Sequence, residues 1–114
     1  MKLIPSLREK KRYIVFEVQS SQQFSLPDIK TEVEKALLLF LGQWGVSRAS
    51  PQLVEEKVNI PQQRFILKVN HTHTDEVKSA LILSTRIKNT PLRIRSWITS
   101  GSLKKASAYL DRNQ

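Results

Sequence analysis

A chain of 114 residues, 39% hydrophobic and 25% charged, has material for one soluble domain around one core, which argues against disorder throughout. Its longest apolar run, Ala36-Leu37-Leu38-Leu39-Phe40-Leu41, is far shorter than the roughly eighteen residues of a membrane span, and its Lys- and Arg-rich opening lacks the apolar centre of a secretion signal, so a cytoplasmic protein is expected. With no cysteine, disulfides, thiolate catalysis and thiolate metal sites are excluded together, while 19 Lys and Arg against 10 Asp and Glu leave a net charge of +9.

Residues 1–10 read as an irregular basic arm containing Pro5. Tyr13-Ile14-Val15-Phe16-Glu17-Val18 reads as a strand whose even positions Ile14, Phe16 and Val18 form an apolar face. Ser25 opens a helix, with Pro27 in the first turn and Asp28 three residues on, as in a capping box. Ile29, Val33, Ala36, Leu37, Phe40 and Leu41 keep the helical period, and Gly42 and Gly45 offer a stop. A second strand is expected within Gln52–Asn59, its pattern weakened by Glu55-Glu56-Lys57. Pro61-Gln62-Gln63 turns the chain into a stronger strand, Arg64 to Val69. Thr74 is read as the cap of a second helix, with Asp75 and Glu76 at its positive end and Val77, Ala80, Leu81, Ser84 and Ile87 on one face. Asn89-Thr90-Pro91 ends it. Leu92 to Thr99 is an amphipathic strand, Leu92, Ile94 and Ile98 facing one way and Arg93, Arg95 and Trp97 the other. After Ser100-Gly101-Ser102, a short helix carries Leu103, Ala106 and Leu110.

The order β-α-β-β-α-β plus a terminal helix predicts a single α+β domain over residues 1–114, a ferredoxin-like split β-α-β sandwich resembling RNA-recognition motifs. Two helices would cover one face of a four-stranded antiparallel sheet. That fold hosts metabolic regulators, ribosomal proteins and RNA-recognition motifs alike, so function has to be argued from the site.

Searches for catalytic chemistry find little. His71 and His73 have only Asp75 and Glu76 nearby, a weak metal-ligand set, and no metal site is expected. Three glycines make no dinucleotide or Walker pattern, and Glu55-Glu56 would point to opposite faces of a strand. RNA-recognition motifs stack bases on exposed aromatics of the central strands. Here Gln63-Arg64-Phe65-Ile66-Leu67-Lys68-Val69 has no glycine, and its one aromatic falls on the apolar face; Tyr13 alone is a thin platform. The charge is more telling. Residues 1–12 carry a net +4 and residues 86–114 a net +6, around a centre of −1. A fold that joined the ends would present a basic face suited to the phosphates and shape of a folded RNA.

Two segments resemble a known family. The opening, Met1 through Val18, looks like the start of archaeal ribonuclease P protein component 2, a relative of a eukaryotic ribonuclease P subunit: a Pro-containing arm, a basic cluster and an Arg-Tyr-aliphatic-x-Phe-Glu strand. Ser100-Gly101-Ser102-Leu103-Lys104-Lys105-Ala106 is similar to that family's Ser-Gly-Thr-Ile-Lys-Lys-Ala segment. Ser6 stands where a second Pro is common, and Asn89-Thr90-Pro91 lacks the usual glycine. The resemblance implies a non-catalytic subunit of the ribonuclease P holoenzyme, supporting an RNA that removes the 5′ leader of precursor tRNA. The catalytic groups and Mg2+ would belong to that RNA. The implied protein partner is the TIM-barrel-like component 3, commonly in a heterotetramer. The alternatives are a ribosomal or other structured-RNA protein of the same fold, and a ferredoxin-like small-ligand regulator.

The candidate RNA contacts are Arg8, Lys10, Lys11 and Arg12 with Arg93, Arg95, Ser100, Ser102, Lys104 and Lys105. First and last strands are expected at different places in the sheet, so the arm and terminal helix would bring these together, with a phosphate held at the Ser100-Gly101-Ser102 turn. The first helix is apolar beyond one face. Ile29, Val33, Leu37 and Phe40 suffice for a core, leaving Leu38, Leu39 and Leu41 for a protein partner unless the terminal helix covers them.

Overall fold

The computed structural model of the chain describes residues 10–83, 86–87 and 90–112, so Arg8, nearly all of the arm, Ser84 and Asn89 lie outside the described residues. Strand β1 (Lys11–Gln19) turns Ile14, Phe16 and Val18 into the core, as its alternation predicts. Helix α1 (Leu26–Ala49) starts on Ser25, whose hydroxyl accepts the Asp28 N–H, and buries Ile29, Val33, Ala36 and Leu37. Phe40, expected in the core, is 45% exposed. Gly42 breaks the helix with φ 72° and ψ 171°, a backbone region that only glycine occupies without strain. The break is no stop, however. Helical backbone resumes through Gly45 to fully buried Ala49, and Ser50 caps it in the left-handed conformation.

Strand β2 shrinks to Gln52–Leu53, because the charged Glu55-Glu56-Lys57 stretch turns out into solvent, and only an isolated Asn59–Arg64 bridge continues the pairing. Strand β3 (Arg64–Asn70) follows the Gln63 turn, which has φ 57°. A 3-10 turn over His71–His73 then leads into α2 (Thr74–Ile82). Thr74 is thus not the cap but the first helical residue. His73 holds the cap position without a side-chain hydrogen bond. Val77, Ala80 and Leu81 are buried as expected, but α2 ends well before Asn89. The segment rich in β-branched residues makes a small hairpin instead, β4 (Arg86–Ile87) with β5 (Thr90–Pro91), so Ile87 is extended rather than helical. Strand β6 (Arg93–Ser100) and α3 (Leu103–Ala108) complete the chain.

The main sheet runs β2-β3-β1-β6, the ferredoxin-like order, with α1 and α2 on one face. β1 therefore pairs with both β3 and β6, Tyr13 opposite Ser100 and Glu17 opposite Arg95. This corrects the expectation that the first and last strands lie apart. They are hydrogen-bonded neighbours. A bulge between Val15 and Phe16 gives β6 an extra residue, so Ile98 joins Val15 and not Ile94. The expected alternation of Ile94 and Ile98 on one face fails for that reason.

The terminal helix does not reach the surplus leucines of α1. It crosses the opposite sheet face, where Val15 and Ile66 are fully buried with Ala106 and Leu110. Six residues cannot sustain a helix alone in water. Packing contributes, at about 1.5–3 kcal/mol for each large apolar side chain buried. Polar anchoring adds to it. Arg64, 3% exposed, pairs its Nε with Glu17 Oε2 at 3.1 Å, and its Nη1 donates to the carbonyls of Tyr109 (3.1 Å), Leu110 (3.3 Å) and Arg112. Asn59 Nδ2 donates to the Leu110 carbonyl as well, at 2.9 Å. Replacing Arg64 by Ala leaves a mostly buried carboxylate without its cation and the carbonyls of Tyr109 and Arg112 without this donor. The expected loss is about 3–5 kcal/mol, a fall of roughly 10–20 °C in the circular-dichroism melting midpoint. A midpoint within a degree or two of the parent would refute the anchoring role of Arg64.

Candidate nucleic-acid interface

The β1–β6 pairing carries the start of β1 to the Ser100-Gly101-Ser102 turn. Arg12 Nη1 lies 3.4 Å from where a Cβ on Gly101 would stand, which sets the guanidinium beside this turn. Lys10 is exposed, and Lys11 Nζ donates to Asn70 Oδ1, which partly commits that ammonium. Ser100 Oγ accepts the Ser102 N–H at 3.1 Å, and Ser102 Oγ accepts the Lys105 N–H at 3.3 Å, capping α3. Both amides are therefore used internally, but each hydroxyl keeps its hydrogen to donate. Lys104 and Lys105 are exposed beside them. Of the ten candidate residues, the structure gathers Lys10, Lys11, Arg12, Ser100, Ser102, Lys104 and Lys105 at this end.

Arg93 and Arg95 are exposed further along β6. Arg95 faces Glu17, four residues along β1 from the Tyr13–Ser100 pair, a separation of roughly 13 Å at 3.3 Å per residue. Helix α3 carries Lys104 and Lys105, and the chain beyond its end at Ala108 carries Arg112. Arg112 lies over the Tyr109 ring at 4.2 Å, and Lys68, opposite Tyr13 in the register, adds charge to the same side of the sheet. Glu17 is paired with Arg64 and accepts from Gln19, while Asp111 accepts from the Asn59 amide and keeps its charge. The result is one basic band along α3 and β6. Sequence reasoning missed Arg64, Lys68 and Arg112. The alternation of β3 does set Arg64 and Lys68 on the side away from Phe65 and Leu67, so that signal existed. No pattern marks Arg112.

The helix layer is different in kind. It carries Asp28, Glu32, Glu34, Asp75 and Glu76 against Lys30, Lys35, Arg48 and Lys78. Leu38 and Leu39 are exposed, with Phe40, Trp44, Ile82 and Leu83. Leu41 is partly buried against the core, so its place in an open apolar surface is corrected. Phe40 and Leu41 line a shallow groove whose far wall includes Asp75, Glu76 and Leu83. His71 Nδ1 sits 3.2 Å from the Lys10 carbonyl and His73 Nδ1 2.8 Å from Thr72 Oγ1, both local contacts.

A profile of the Rpp14/Pop5 family matches residues 12–110. The chain is 36% identical over 104 residues to Ribonuclease P protein component 2 of Methanocaldococcus jannaschii, covering 91% of this chain and 75% of that protein. It is 35% identical to the protein of the same name from Thermococcus kodakarensis, over 90% of this chain and 84% of that one. A chain in the cryo-EM structure of yeast Ribonuclease MRP superposes with a TM-score of 0.65 at 13% identity, covering 96% of this chain and 89% of that one, a likeness of fold alone. The chain belongs to the Rpp14/Pop5 family.

Proposed function

We propose that this chain is a protein subunit of ribonuclease P that holds structured RNA on its α3 face and a protein partner on its helix layer. The observation that carries the reading is the β1–β6 pairing, which merges two basic segments from opposite ends of the sequence into one band. The band suits a phosphate backbone. Its residues are Lys10, Arg12, Arg93, Arg95, Lys104 and Lys105, with Ser100 and Ser102 as hydroxyl donors and Lys11 in support. A small-ligand regulator of this fold has no use for such a band. The rival of a ribosomal or other structured-RNA protein is separated by filter binding to ribonuclease P RNA against ribosomal RNA.

On this reading the protein supplies position and counter-charge. The groups that remove the 5′ leader of precursor tRNA, and the Mg2+ they use, belong to the RNA. Purified protein freed of RNA should leave precursor tRNA intact in the presence of magnesium; leader removal that survives nuclease treatment of the preparation contradicts the division of labour. Lys105→Ala should weaken binding to ribonuclease P RNA and flatten the slope of log affinity against log salt by roughly 0.7–0.9, the value of one phosphate contact. An unchanged slope places the RNA elsewhere.

The partner proposed for the helix layer is the TIM-barrel-like component 3, in a heterotetramer. Exposed Leu38 and Leu39 on a helix already committed to the core on its other side support that assignment. Replacing both by Gln should weaken pairing with component 3 at least tenfold in titration calorimetry, with the melting midpoint kept, since neither side chain is in the core. Equal affinity of the variant removes this surface from the interface.

A further inference from the structure

The sheet centre, where RNA-recognition motifs stack bases, is closed here, because Val15 and Ile66 lie fully buried beneath α3. The margin of that face is open. The β-bulge inserts Trp97 into β6, an edge strand with no partner on its outer side among the described residues, and leaves the indole only partly buried. Two guanidinium groups lie against this one ring. Arg64, buried, is 4.2 Å from its centroid, and Arg95, exposed, is 4.8 Å away. The ring is held by these cations and not by its N–H, which is buried without a hydrogen-bond partner among the described residues.

We propose that Arg95 and Trp97 form a stacking site for one unpaired nucleobase of the bound RNA, with Arg93 and Arg112 taking the flanking phosphates. The site rests on the RNA-binding reading above and gives Arg95 a task beyond point charge. A guanidinium laid on an indole is a flat, delocalised cation, and unpaired bases stack on such planes as they do on aromatic rings. Buried Arg64 fixes the indole from within through its bonds to Glu17 and the end of α3, so the ring is already in position before RNA arrives. Arg112, resting on Tyr109, is restrained in the same way. Exposed cations restrained on rings lose less side-chain freedom when they engage a ligand. Glu17 is paired with Arg64, so the carboxylate opposite Arg95 in the register is already matched by a cation. Those features select a single-stranded nucleotide, since a base inside a duplex offers no free face.

The test uses the full chain with Trp44→Phe, which leaves Trp97 as the one tryptophan of the two in the sequence. Trp97 fluorescence is titrated with hexa-adenosine RNA and with an abasic ribose-phosphate hexamer of equal charge. Quenching by the base-bearing strand and an affinity about tenfold above the abasic strand are expected, in line with one base stack. Arg95→Lys, which keeps the charge and removes the plane, should erase that preference, again roughly tenfold, while the salt slope and the melting midpoint stay as they were. Equal binding of the two hexamers, or an Arg95→Lys variant that keeps the preference, overturns the stacking site. Filter binding of the same protein to ribonuclease P RNA separates the two levels of inference. Salt-dependent binding there without base preference in the hexamers rejects the stacking site alone, and absence of both rejects the RNA-binding reading with it.

Discussion

The placement of α3 depends on one buried cation. Arg64 comes from β3, sits under Trp97 of β6, pairs with Glu17 of β1 and holds the carbonyls that end α3. A guanidinium can sit 3% exposed only where its donors are met, since an unpaired buried charge costs several kcal/mol. Its planar fork of donors suits this place as an ammonium would not, because one group must reach a carboxylate and several carbonyls while its carbon sits 4.2 Å from the Trp97 ring centroid. The same contacts close the sheet face to the kind of base stacking that defines RNA-recognition motifs. They also bring Arg112 and Tyr109 next to β6. Closing the centre and organising the margin are thus two results of one side chain.

Much of the architecture was legible in the sequence because the patterns that encode it are local. Alternation in β1 and β3, the Ser25 cap and the 3.6-residue stripe from Ile29 to Leu37 each state which face is buried, and the structure agrees. Errors gathered where a non-local contact decides. The face of Ile98 depends on a bulge that only the pairing with β1 creates. Gly42 correctly marks a break, but whether a helix ends or restarts depends on what buries Ala49. The extent of α2 was overread from Ile87, whose apolar character fits strand or helix equally. The destination of α3 had no local signal at all, because Leu103, Ala106 and Leu110 fit either side of the sheet.

The site was legible as charge and illegible as geometry. Seven of the candidate residues lie toward the Ser100-Gly101-Ser102 end of the β1–β6 pair, with Arg12 beside Gly101 and Lys11 directed to Asn70. The pairing of the first and last strands brings the start of β1 there, while the arm, except Lys10, lies outside the described residues. The two faces then separate by chemistry. The basic band lies along α3 and β6, while the helix layer combines exposed leucines with an acidic groove wall. The first face is rich in Lys and Arg, while the second carries acids and bases in near balance around its exposed leucines. Two surfaces of such different chemistry suit two different kinds of ligand.

Why the strand order matters can be argued from length scales. Charges on a protein surface are felt over about 8 Å at physiological salt. Adjacent strands lie about 4.8 Å apart, so the charges at the start of β1 and those just past the end of β6 reinforce each other within that distance. Arg95 and Arg93, roughly 13 Å or more along β6 from the Tyr13–Ser100 pair, act beyond it as a second group of charges. The ferredoxin-like order sets the first strand beside the last by default, although residues 20–92 of the chain lie between them. A sequence of this fold can therefore concentrate charge on one face by loading its two ends and keeping its middle nearly neutral, as this one does with +4, +6 and −1. The core-forming segments stay free of excess charge that would oppose their burial, and the juxtaposition of the charged ends comes from the pairing itself.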